Sequence, residues 1–219
     1  MERSDGKYGG RSADERRRER RRRLLDAAFD IAGSQGFSVL GVRAVCVQAG
    51  LNDRYFYESF TDCDQLLLAV YEDQAATLIA RLMAVLDNTA DWELRARIRA
   101  VIDVGIDFGA EDPRRSRLLE DAQSSAALRA RRSELAALLA EMLLAQGREV
   151  LGDDIAADPN YQMAALTVVN GLIELGATWW RGDLDASRDQ IAEFMVAMIL
   201  TSADIGSRLD RALSDANQT

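Results

Sequence analysis

Apolar residues recur along this chain at separations of three and four, the period of an α-helix, and runs of alternating Val, Ile and Thr that would mark half-buried strands are missing. The first stripe is Leu25, Ala28, Phe29 and Ala32, which predicts a helix from near Asp14 to a C-terminal stop at Gly36. A short second helix follows from about Gly41 to Gln48. Gly50 ends it, Asn52 is placed to cap the next, and a third helix covers about Asp53 to Ser59. Two short helices joined across Ala49-Gly50-Leu51 make a helix-turn-helix. From Asp62, another capping residue, to about Asp87 a long amphipathic helix carries Leu67, Tyr71, Ala75, Leu78, Leu82 and Leu86 on one face. Further helices are predicted at about Trp92 to Ala110, Arg114 to Ser124, Ala126 to Leu151, Tyr161 to Arg181 and Ala186 to Leu209, broken by Asp112-Pro113, Gly152-Asp153-Asp154, Asp158-Pro159 and Gly182-Asp183. The expected fold is all-α with about nine helices. It comprises a disordered arm over residues 1–13, a three-helix unit carrying the helix-turn-helix over 14–61 and a larger helical domain over 62–219.

Composition removes several kinds of chemistry. The 219 residues contain no histidine and two cysteines, Cys46 and Cys63. The usual general base and the commonest metal ligand are thus missing, and a zinc site or a disulfide framework is not expected. The sequence holds no Gly-rich phosphate loop and no nucleophile elbow, so neither an enzyme nor a cofactor is expected. No apolar stretch is long enough to span a membrane and the N-terminal segment is polar, so a cytoplasmic protein is expected.

The formal net charge of −9 argues against nucleic acid as a partner, because phosphates need positive charge. That average conceals a division. Up to Phe60 there are 12 Lys/Arg against 9 Asp/Glu, a net of +3, whereas beyond it there are 15 against 27, a net of −12. Seven arginines lie within Arg16 to Arg23. They suit either a solvated helix face or a clamp on DNA phosphates, with about half of them reaching one duplex.

The segments Leu24-Leu25-Asp26-Ala27-Ala28, Gly36-Phe37, Val42-Arg43-Ala44-Val45-Cys46, Ala49-Gly50-Leu51, Phe56-Tyr57-Glu58-Ser59-Phe60 and Asp64-Gln65-Leu66-Leu67 occur in the order and spacing of one family. On these residues the sequence resembles the TetR family of transcriptional regulators. The resemblance implies that the third helix enters the major groove while the second lies across the backbone. It implies a DNA-contacting set of Arg43, Asn52, Asp53, Arg54, Tyr55 and Tyr57. Arg54 is suited to O6 and N7 of a guanine, Tyr55 to a thymine methyl or a phosphate, and Tyr57 to a phosphate; Phe56 and Phe60 should pack inward. Three positions depart from the family pattern: Leu40-Gly41-Val42 stands where threonines commonly start the second helix, Arg54 replaces a glycine or proline, and Cys63 replaces a phosphate-binding lysine. Cys63 suggests a redox switch, which neighbouring Asp62 and Asp64 oppose.

In the acidic part, the helix from Tyr161 to Arg181 is apolar on two faces, so one face serves its own core and the other a partner chain. Leu172, Leu175 and Trp179, with Ile191, Phe194 and Met198 of the next helix, are the candidate homodimer interface. A polar line of Thr167, Asn170, Glu174, Thr178 and Arg181 runs between the faces and needs a ligand, the other subunit or internal bonds as its partner. Gly105 and Gly109 share a stripe on the helix from Trp92, which signals either close packing or a cavity. The ligand-contacting candidates are Met83, Trp92, Gly105, Phe108, Asn170 and Glu174. The resemblance implies a homodimeric repressor on double-stranded operator DNA, released when a small-molecule effector displaces the long helix from Asp62. The alternatives are a DNA-binding regulator without a ligand switch, a helical enzyme and a helical scaffold.

Overall fold

The structure is a computed structural model that describes residues 12–121, 126–151 and 158–216. Residues 1–11 of the expected arm, and the break at Gly152-Asp153-Asp154, lie outside the described residues. Among the described residues there are nine α-helices, one 3₁₀ turn (Phe37–Val39) and no strand. The helices are α1 (Ala13–Gln35), α2 (Val42–Ala49), α3 (Asp53–Tyr57), α4 (Cys63–Asn88), α5 (Leu94–Ala110), α6 (Pro113–Asp121), α7 (Ala126–Leu151), α8 (Pro159–Trp180) and α9 (Arg188–Ala216). The all-helical reading therefore holds, with shifts at several ends. Ser12 opens α1 with a reciprocal capping box: its side chain accepts from the Glu15 N–H, and the Glu15 side chain accepts from Ser12. Pro159 starts α8 because its fixed φ suits a first helical position, and Asp158 caps it by accepting from the Asn160 N–H at 2.8 Å.

The chain forms two compact units that divide between Tyr71 and Glu72, inside α4. In the first unit α1 buries Leu24, Leu25, Ala27, Ala28, Phe29, Ile31 and Ala32, while its N-terminal half, the arginine-rich part, is mostly exposed. Val45, Cys46 and Ala49 of α2, Phe56 of α3, and Leu66, Leu67, Val70 and Tyr71 from the start of α4 are buried as well.

The second unit is built around α8. On one side Ile102 and Ile106 of α5 pack with Ile191, Ala192, Met195 and Val196 of α9, joined by Leu172, Leu175 and Trp179 of α8. On the other side Ala136 and Ala140 of α7 meet Ala165 and Val169 of α8, small residues that let two helices approach closely. Charged residues fasten the α5–α9 contact. Arg99 bonds Asp103, Asp189 and Glu193, Arg188 bonds Asp103 and Asp107, and Arg95 pairs with Glu193. Among the described residues no helix is long and apolar enough to cross a membrane.

The glycine pair on α5 separates into two unlike positions. A Cβ on Gly109 would fall 2.2 Å from Cε2 of Trp180, whose indole N–H donates to the Ile106 carbonyl at 3.1 Å. Gly109 is therefore where the indole of α8 seats on α5. Around Gly105 a Cβ would meet nothing within 4 Å. Gly109→Ala should then destabilise the second unit by about 1–3 kcal/mol through overpacking. Gly105→Ala should instead stabilise it by about 0.5–1 kcal/mol through helix propensity. Urea unfolding of both variants checks this, and a stable Gly109→Ala would refute the seating of Trp180.

Candidate nucleic-acid interface

The turn between α2 and α3 is set by Gly50, which adopts the left-handed conformation (φ 61°) and ends α2 by donating to carbonyls of its last turn. The guanidinium of Arg23 on α1 bonds the carbonyls of Ala49 and Gly50, the negative end of the α2 dipole. The left-handed backbone favours glycine here, and a Cβ would lie 2.8 Å from that guanidinium nitrogen, which would have to shift. Asn52 caps α3 by accepting from the Tyr55 N–H at 3.3 Å. Phe56 is fully buried, with its ring centroid 5.9 Å from that of Phe60, which is also buried. At the start of α2 Gly41 supplies no side-chain cap.

On this frame the expected DNA-contacting residues have different surroundings. Arg43, Asn52, Asp53, Arg54 and Tyr57 are exposed. Arg54 pairs through Nε with Oε1 of Glu58 at 3.3 Å. Tyr57 stands 62% exposed, edge-on to Phe56. Tyr55 is half-buried, covered by the Arg20 guanidinium 4.4 Å above its ring. Val47 on α2, 75% exposed, was not singled out from the sequence; an apolar residue on the outer side of a short helix is its only sequence mark.

The arginine run is largely engaged within the protein. Arg17 donates to the Glu58 carbonyl at 3.0 Å and Arg20 to the Glu58 carboxylate at 3.2 Å. Arg21 lies over the Phe60 ring, Arg22 pairs with Asp26 one turn on, and Arg23 caps α2. A helix that reads in sequence as a solvated face or a phosphate clamp thus also braces α2 and α3.

Burial first, and then a hydrogen bond to Asp53, push the Cys46 thiol up to about 11. Cys63 is also raised, by burial first and then by the charges of Asp62 and Asp64. Asp62 itself is held below the ordinary carboxylate range, chiefly because the Gln65 N–H at the start of α4 donates to it. Both thiols are therefore protonated at neutral pH, the opposite of what a thiolate switch needs.

In the second unit the six candidate ligand residues lie in different environments. Met83 and Trp92 are exposed, Gly105 is half-buried, and Phe108 is buried between the guanidinium groups of Arg115, at 3.9 Å, and Arg81, at 5.4 Å. Asn170 and Glu174 are exposed and have partners within the chain: Asn170 donates to the Leu166 carbonyl and Glu174 pairs with Arg132, each at 2.8 Å. The candidate interface residues divide too. Ile191 is a core residue at 2% exposure, and Leu172, Leu175 and Trp179 pack on the same cluster, with the Trp179 indole donating to the Ala186 carbonyl at 2.7 Å. Phe194 and Met198 of α9 face outward, as do Met163 and Leu166 of α8.

Residues 24–70 match the model of a family described as bacterial regulatory proteins, tetR family. The chain is 30% identical over 103 residues to the HTH-type transcriptional activator FasR of Mycolicibacterium smegmatis, a match covering 47% of this chain and 46% of that protein. It spans less than half the length of the curated relatives it matches. Among solved structures, the fatty acid degradation regulator FadR of Bacillus halodurans is similar in fold, with a TM-score of 0.66 at 13% identity over 84% of this chain and 94% of that one. The regulator FadR of Bacillus subtilis, solved in complex with stearoyl-CoA, has a TM-score of 0.61 at 17% identity over 83% and 96%.

Two outcomes check the geometry of this unit. Gly50→Ala should destabilise it by at least about 1–2 kcal/mol, the cost of a side chain in the left-handed region, measured by chemical denaturation. Both thiols of the native protein should react with iodoacetamide more slowly than free cysteine at pH 7.5, with Cys46 slower than Cys63; equal rates would contradict the burial described.

Proposed function

We propose, starting from a reading unit that belongs to the TetR family of bacterial regulators, that the whole chain is a homodimeric transcriptional regulator that binds operator DNA and is released from it by a small molecule. The observation that carries the reading is the exposure of Arg43, Arg54 and Tyr57 on a helix-turn-helix held by arginines of α1. In this reading α3 enters the major groove, Arg54 bonds a guanine edge, and Arg43 and Tyr57 meet phosphates. Asn52 shapes the start of α3, while Asp53 and Tyr55 border the groove.

The dimer proposed here uses the outward apolar residues of α8 and α9: Met163, Leu166, Phe194 and Met198. Leu172, Leu175 and Trp179 support that face from within, and Ile191 belongs to the core beneath it. An isologous pairing of the two helices would bury more than about 2,000 Å² in total, the size of a lasting dimer.

Control is proposed to run through α4, whose first turns belong to the first unit and whose remainder belongs to the second. A two-fold dimer must match half-sites about 34–36 Å apart, so a small displacement of α4 is enough to weaken binding. The effector is a mostly apolar organic molecule bound among the helices of the second unit; of stearoyl-CoA, held by the FadR of Bacillus subtilis, only the acyl chain is of that class. Repression is the proposed sign. The activator name of FasR favours the opposite sign as a second reading.

Mobility shifts on DNA from beside the encoding gene test the reading at several salt concentrations. Arg54→Ala should weaken binding by about 1–3 kcal/mol and relax one base pair per half-site, and Arg43→Ala should also weaken it. Parental affinity in both folded variants would remove the reading head. Phe194→Arg should shift the light-scattering mass from dimer to monomer, and a monomeric parent would remove the two-half-site model. An effector should lower operator affinity by roughly 1–3 kcal/mol, and DNA should weaken the effector by the same factor. Binders that never alter DNA affinity would leave a regulator without the switch.

A further inference from the structure

Glu58 lies just past the end of α3 and gathers three arginines from two helices. Its Oε1 faces Nε of Arg54 at 3.3 Å, its Oε2 accepts from Arg20 at 3.2 Å, and its backbone carbonyl accepts from Arg17 at 3.0 Å. The Arg20 guanidinium that bonds Oε2 is the one stacked 4.4 Å above Tyr55. A single carboxylate therefore touches Arg54 directly and Tyr55 through Arg20, and these are the second and third side chains after the Asn52 cap of α3.

We propose that Glu58 is the positioning residue that determines which base pair Arg54 reads, an inference that rests on the DNA-binding function proposed above. An exposed arginine paired with a glutamate one turn away is ordinarily ordered only weakly, since both long side chains must give up rotamer freedom. Here the carboxylate is already held from α1, so only Arg54, whose side chain is 83% exposed, has to be ordered. With the Nε side of the guanidinium turned to the Glu58 carboxylate, the terminal Nη pair remains for a base edge, and its fork matches O6 and N7 of a guanine. The arrangement also explains how an acidic group is tolerated on a surface that approaches phosphates. Two guanidinium groups offset its charge, and as an acceptor it offers nothing to a phosphate oxygen. Glu58 itself makes no base contact in this scheme.

A mere structural brace would lower affinity evenly for all sequences, whereas a positioning residue acts on one base pair. The test uses the full chain, selection from a randomised duplex library, and dissociation constants for the selected duplex and each of its single base-pair variants. The proteins compared are the parent, Glu58→Gln, Glu58→Ala, Arg54→Ala and the Arg54→Ala/Glu58→Ala pair, each checked for folding by circular dichroism. Glu58→Ala should cut discrimination roughly 5- to 30-fold at the base pair that Arg54→Ala relaxes, and adding it to Arg54→Ala should cost nothing further there. Glu58→Gln, with one acceptor oxygen left, should fall between. Even losses across all positions, additive losses in the double variant, or parental discrimination in Glu58→Gln would each overturn the proposal. The last result decides the matter even if Glu58→Ala fails to fold. If the parent selects a motif that Arg54→Ala relaxes and Glu58→Ala does not, this inference falls and the proposed function stands. If the parent selects no motif, both fall.

Discussion

A helix as short as α3, Asp53–Tyr57, closes little more than one turn, so its own hydrogen bonds cannot hold it in water. The arrangement of this helix-turn-helix follows from how the rest of the unit compensates for that. Phe56 supplies the apolar anchor from inside the helix, and Asn52 satisfies a backbone N–H at its start. At the other end Arg17 takes up the Glu58 carbonyl, and Arg23 does the same for the carbonyls that end α2. Carbonyls at the C-terminal ends of two short helices are thus bonded by one long helix, and a five-residue segment acquires a defined orientation.

The same bonds reconcile an acidic protein with a basic surface. Arginines that read in the sequence as a solvated face or a phosphate clamp also brace the two short helices. Those with carbonyl or carboxylate partners keep their positive charge, because a hydrogen bond to a neutral carbonyl removes none of it, and the partner acid Glu58 offsets only part. The residues up to Phe60 keep a formal net charge of +3, against −12 for the remainder.

In the second unit several acidic side chains are placed against cations rather than left to repel one another. Asp103, Asp107, Asp189 and Glu193 meet Arg95, Arg99 and Arg188 across the α5–α9 contact. Single exposed pairs contribute little, yet a connected set fixes the register of two helices whose apolar contact alone permits sliding. Trp180 over Gly109 sets the third side of that packing, because an indole admits no Cβ beneath it. Glu174 and Asn170 are drawn into local bonds in the same way, so their polarity does not require a ligand.

The period of the apolar residues alone determined that the chain is helical, and glycine and Asx residues with known backbone preferences determined where α2 stops and α3 begins. Burial of Phe56 and Phe60 was legible through the family resemblance. The ends of α3 and α8 and the 3₁₀ turn at Phe37–Val39 were less legible, because single caps and a proline decide them within one turn. What the sequence could not contain is any pairing between distant positions. The Arg17 and Arg20 bonds to Glu58 span about forty positions and the Trp180 seat on Gly109 more than seventy, so no local spacing encodes them. Gly105 and Gly109 look equivalent on a helical stripe, yet only one faces the indole, and Ile191 and Phe194 look alike as apolar residues of one helix, yet one is core and the other outward. Side-chain direction relative to a neighbouring helix decides each case, and that direction exists only once the helices have packed.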